Sequence, residues 1–154
     1  MKVVGAFLAA VLATYILAVL FYTQLNLANL VEMGLAVSMG DRLQAAFHDL
    51  LGMAVIYLPV IALALLLGFL IARVVLIWVP QLRALGYVVA GFVGIFAIDF
   101  LLGATVASGT HGLAVTRTAI GLLSQCIAGA AGGYVFSQLS DPNPSRSYVN
   151  RTAA

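Results

Sequence analysis

Four long apolar runs, separated by shorter polar interruptions, dominate the chain at residues 3–22, 50–78, 84–108 and 118–139. A helix rises ~1.5 Å per residue and the bilayer's hydrocarbon core is ~30 Å thick, so about 20 apolar residues cross it. Every run reaches that length. The pattern predicts an all-α fold, an integral membrane four-helix bundle. The four spans make up one domain, residues 1–139. Residues 140–154 begin SDPNPSRS and have the polarity of a chain terminus.

The interruptions refine this picture. Lys2 precedes VVGAFLAAVLATYILAVLFY, which has the order of a signal peptide. No small-x-small cleavage site follows it, so the segment is read as a retained first span, with Tyr22 at headgroup level. Residues 23–49 are too apolar for a free loop, yet Glu32, Gly34, Gly40, Asp41 and Arg42 divide them. Leu27, Leu30, Val31 and Leu35 recur at helical spacing there. They predict a short helical segment lying in the interface between the first and second spans. Ser38 or Asp41 can cap the helix that follows. That helix is expected to begin near Arg42, bend at Pro59, pass Trp78 and stop at Pro80. The stretch SGTHGLAVTR predicts a tight turn before the last span.

Composition agrees with the pattern. The chain is 64% hydrophobic and 8% charged, against about 25% charged residues in soluble domains. The lipid bilayer is therefore the expected surrounding. A net charge of +2 without a Lys/Arg cluster argues against a nucleic-acid partner. The single cysteine, Cys126, rules out an intrachain disulfide or a thiol pair, and inside an apolar helix it reads as a packing residue. Charge also orients the spans. Lys2, Arg73, Arg83, Arg146 and Arg151 fall on one side, Arg42 and Arg117 on the other. The positive-inside rule then places both termini in the cytoplasm, with the bundle in the cell inner membrane.

Asp99 is the main chemical candidate, because a carboxylate well inside a span is costly unless paired, protonated or hydrated. Val88, Phe92, Ile95, Gly103 and Val106 share its helix face and offer no polar side chain, so a partner must come from another helix. Counting along the spans sets Ser124, Gln125 and Tyr15 at a similar depth. The preferred reading is structural: a neutral Asp99 hydrogen-bonded to Gln125 and Tyr15. The alternative is a site for a proton or cation. Arg73 lies near a helix end and is expected to snorkel to the headgroups. His48, Asp49 and His111 make a weaker polar set at the outer surface, but their spacing matches no metal motif, and no metal or cofactor is expected.

Small residues mark the expected helix contacts. Gly121, Gln125, Ala128 and Gly132 form one stripe on the last span, with Gly129 and Gly133 beside it in a GxxxG pattern. The third span carries Gly86, Ala90, Gly94 and Ala97. Such stripes let backbones approach closely, and the expected contact joins these two spans. Contact between protomers, or with a larger membrane complex, is the other use of such a surface.

Small four-span families are a further comparison. Quinone-linked thiol oxidoreductases need paired cysteines. Small multidrug transporters need a first-span glutamate. The stretch Arg42-Leu-Gln-Ala-Ala-Phe-His-Asp49 resembles the loop of the MAPEG glutathione-dependent enzymes, in which Arg precedes Asn and Glu at helical spacing. Here Asp49 stands for the Asn and Gly52 for the Glu, and the charge rule puts the stretch on the opposite side. No family is assigned. The expected function is that of a non-enzymatic membrane component binding a membrane partner or lipid. An oligomeric transporter or channel built around Asp99 ranks second. A membrane enzyme ranks last, since no nucleophile–base or catalytic constellation is visible.

Overall fold

The computed structural model describes residues 2–106 and 118–140. Among the described residues the secondary structure is all helical: α1 is Lys2–Glu32, α2 Met39–Gly52, α3 Ala54–Leu76, α4 Arg83–Val106 and α5 Ala119–Leu139. A single 3-10 turn, Pro80–Leu82, joins α3 to α4. Helices α1, α3, α4 and α5 are long and apolar enough to cross a membrane. The chain is a multi-pass membrane protein by that measure. The predicted His111 turn and the C-terminal tail lie outside the described residues.

Helix α1 does not stop at Tyr22 but runs on to Glu32. Nothing between them breaks a helix, and the stop signal is Gly34. It takes φ +86°, a left-handed conformation that glycine adopts without steric cost. Its N–H donates to Val31 O at 3.0 Å, and the Leu35 N–H donates to Leu30 O at 3.2 Å. These are the two bonds of a Schellman cap. Leu27, Leu30 and Val31, expected in a separate interfacial helix, therefore belong to α1.

The interfacial role falls to α2 instead. Its N-terminus is closed by a capping box: the Asp41 N–H donates to Ser38 Oγ, and Ser38 donates back to the Asp41 carboxylate from both its hydroxyl and its N–H. The hydroxyl bond first, then the backbone bond, hold the Asp41 carboxyl below its ordinary value. Met39, Leu43, Phe47 and Leu51 recur every four residues and are all exposed, whereas Ala46 is buried. The Asp49 carboxylate accepts a bond from Thr23 Oγ1 at 2.8 Å, and Arg42 Nη1 donates to Gln24 Oε1 at 3.0 Å. Two α2 residues two turns apart thus reach adjacent residues of α1. A third tie, from the Tyr15 hydroxyl to Leu50 O, fixes the far end of α2 against α1, and the exposed apolar stripe of α2 suits a helix lying in the interface.

The expected continuous helix from Arg42 to Trp78 is broken at Met53, ahead of Pro59, which α3 accommodates. The break falls where the side chains change character. Asp41, Gln44 and His48 need water, while α3 is apolar from Ala54 to its Arg73. One straight helix could not serve both media.

The bundle is antiparallel throughout. Helix α5 packs closely between α4 and α1, α4 also packs on α3, and α1 meets α3 more loosely. Glycines set the close contacts. A Cβ on Gly91 would collide with Gly129 O, and one on Gly133 with Tyr87 O. On the opposite side of α5, a Cβ on Gly132 would strike Thr14 of α1. Gly129 and Gly133 therefore serve α4, while the Gly121–Gln125–Ala128–Gly132 stripe faces α1. The third-span stripe corrects the expectation more sharply. A Cβ on Gly94 would sit 2.9 Å from Ala64 O, and Gly86 abuts the Leu76 side chain. That stripe seats α3, not α5, because it lies on a different face of α4 from Gly91.

Candidate functional site

Three features can bear function: a sealed polar cluster around Asp99, and two clefts on the bundle perimeter. The cluster follows from the antiparallel register. With Gly91 against Gly129 and Gly94 against Ala64, Asp99 falls level with the start of α3 and with Gly121–Gln125 of α5. Asp99 is 3% exposed, and neither carboxylate oxygen has a hydrogen-bond partner among the described residues. Tyr57 and Cys126 lie within electrostatic range of it.

None of the expected partners bonds to Asp99. Gln125, fully buried, donates from Nε2 to Ala18 O at 3.1 Å and accepts from Tyr57 Oη at 3.0 Å. Its amide ties α1, α3 and α5 together. Tyr15 donates to Leu50 O instead, anchoring the end of α2. Ser124 donates to Gly121 O of its own helix at 2.7 Å. The Gln125 amide thus takes its acceptor from the α1 backbone and its donor from α3, which leaves Asp99 outside the network. Sequence reasoning missed Tyr57, which is buried beside this cluster. The available signal was a lone tyrosine in the first turn of the most apolar span, where its hydroxyl must find an acceptor.

The polar cluster ends in a dry layer. Ile61, Leu65 and Ile95 are almost wholly buried below it. Next comes an aromatic group: Phe69 and Phe136 stack at 4.5 Å, Tyr87 meets Phe136 at 4.9 Å and Phe69 at 5.5 Å, and Phe7 meets Phe69 at 6.3 Å. Such pairs each add about 0.5–1.5 kcal/mol beyond burial. They close the bundle between Asp99 and its N-terminal end.

The first cleft, ~630 Å³, runs between α3 and α4 and is lined by apolar side chains and by the small residues Gly68, Ala90 and Gly94. The second, ~580 Å³, lies at the N-terminal end between α1 and α3. Phe7, Phe69, Tyr87 and Phe136 form its floor, Val4 and Leu70 its exposed apolar rim, and Arg73, Arg83 and Ser140 its polar edge. Arg83 donates to Ser140 O at 2.7 Å and Oγ at 2.9 Å, closing the C-terminus of α5, and sits 6.0 Å from the Tyr87 ring centre.

The outer polar set does not assemble among the described residues. Asp49 turns to Thr23, His48 is exposed, and His111 lies outside the described region. No group of three His, Cys, Asp or Glu side chains able to hold a metal occurs among the described residues. Comparison of the chain with known protein families, with curated proteins and with solved structures gives no match.

Proposed function

We propose that this is a non-enzymatic membrane component that binds a lipid or a membrane partner from the bilayer side. The placement of the two clefts carries this reading. Both lie on the perimeter with exposed apolar rims, and Asp99 lines neither. A ligand would reach them sideways through lipid, not from water. The test is a photoactivatable acyl-chain probe in membranes holding the protein. Labels should concentrate on cleft residues such as Leu85 and Leu70. Labelling spread evenly over all exposed apolar faces would sink the reading.

The charge distribution supports the bundle's orientation in a cell inner membrane. Lys2, Arg73 and Arg83 gather at the end opposite α2, and the positive-inside rule favours a cytoplasmic side for that end. In a Cys126→Ala background, Ser38→Cys should react with an impermeant thiol reagent added to intact cells, and Gln81→Cys should not. The reverse pattern would invert the topology.

A second reading rests on Asp99. A buried carboxyl without a partner is an unusual cost for a purely structural residue. It favours a small oligomeric transporter or channel in which Asp99 takes a proton or cation. The dry layer and aromatic group between Asp99 and the N-terminal end weigh against it.

A further inference from the structure

We infer that the cleft between α1 and α3 is a binding site for one anionic phospholipid of the leaflet at the N-terminal end, an inference that rests on the bilayer-side reading above. The cleft has two chemistries in the right order. Its floor and rim are aromatic and aliphatic, suited to an acyl chain. Its edge carries two guanidinium groups, suited to a phosphate, which arginine can grip with two parallel bonds.

The depth fits as well. Arg73 precedes the exposed Trp78 by five residues, or ~7.5 Å of helix. Tryptophan favours the headgroup level, so the arginine head can reach it from just below. Arg73 is exposed and makes no hydrogen bond or ion pair among the described residues, whereas Arg83 is held in place by Ser140. One cation is thus fixed and the other available. Among the described residues no acidic side chain lines the cleft. Glu32, Asp41, Asp49 and Asp99 belong to the α2 half of the bundle, and Asp141 lies outside the described residues. The volume, ~580 Å³, is within the ~300–1,000 Å³ of ordinary ligand clefts.

The site lies between α1 and α3, which pack more loosely than α4 and α5 do. Glycine contacts hold α5 against both α1 and α4, and Gly68 holds α3 against α4. Phe7 and Phe69, meeting edge to face, bridge α1 and α3 at this end.

The test is native mass spectrometry of the full chain with phosphatidylglycerol or phosphatidylcholine as the probe lipid. The wild type should retain one phosphatidylglycerol in preference to phosphatidylcholine, and free inorganic phosphate should not displace it. Arg73→Gln should lower that preference about fivefold, the attraction one basic residue has for anionic lipid. Its thermal midpoint should not change, since Arg73 makes no internal bond. Leu70→Trp should fill the rim and reduce retention of both lipids. Arg42→Gln, at the other end, should leave the retention of both lipids unchanged. If the wild type retains both lipids equally, or Arg73→Gln keeps the full preference, the anionic site is refuted while the bilayer-side reading stands. If no lipid is retained and the acyl probe also labels evenly, both fall.

Discussion

Gly91→Leu and Gly133→Leu should each leave little stable bundle, while Gly5→Leu should melt like the wild type. The difference is steric. An added Cβ at Gly91 or Gly133 would land on a backbone carbonyl of the facing helix. Backbone cannot swing aside as a side chain can, so α4 and α5 must separate along their whole contact. Overpacking a fitted core costs ~1–3 kcal/mol even where side chains can adjust. Leucine at a backbone contact should exceed that range. Gly94→Ala, whose Cβ would sit 2.9 Å from Ala64 O, should fall between, and Gly5 has nothing within 4 Å. Thermal unfolding in detergent, with size-exclusion profiles, ranks the four variants. A Gly91→Leu protein with the wild-type midpoint would mean that α4 and α5 do not meet as described.

This ranking also shows what a sequence can and cannot disclose about such a bundle. Span number and approximate position are legible because length and hydropathy are local properties. So is the existence of small-residue faces, since helical periodicity places Gly129 with Gly133 and Ala90 with Gly94. Which neighbour each face meets is not local. It depends on the cyclic order of the helices, in which α4 lies between α3 and α5. The helix ends show the same divide. Gly34 ends α1 by a glycine cap that the sequence contains, but the apolar side chains of residues 27–31 fit an interfacial helix and a prolonged α1 equally well. The candidate site was legible as a depth and no further. Asp99 does lie at the level of Gln125, yet the amide is taken by Tyr57 and Ala18 O. Competition for a donor among three helices is decided by packing, not spacing.

That competition fixes the sign of a second large effect. If Asp99 were bonded to Gln125, an apolar residue at 99 would orphan the amide and destabilise the bundle. Since neither Asp99 oxygen has a partner among the described residues, nothing is orphaned, and the buried carboxyl itself is the cost. Asp99→Val, the apolar change nearest in bulk, should therefore stabilise the bundle by about 1–3 kcal/mol, the penalty of an unsatisfied buried polar group. Gln125→Leu should do the opposite. It strips the Tyr57 hydroxyl of its acceptor and removes the second donor to Ala18 O, a loss of about 1–3 kcal/mol if the hydroxyl stays buried. Chemical or thermal unfolding of both variants in one detergent decides it; an Asp99→Val protein weakened as much as Gln125→Leu would reveal a partner for Asp99. The same pair of residues separates the two functional readings. Natural chains keep a destabilising group where function needs it. If Asp99 serves transport, Asp99→Asn should be at least as stable as the wild type and silent in a proteoliposome flux assay, across the protons and cations that the wild type moves. A wild type that moves none of them over a wide range of pH removes the transporter reading and leaves the bilayer-side ligand as the function of the fold.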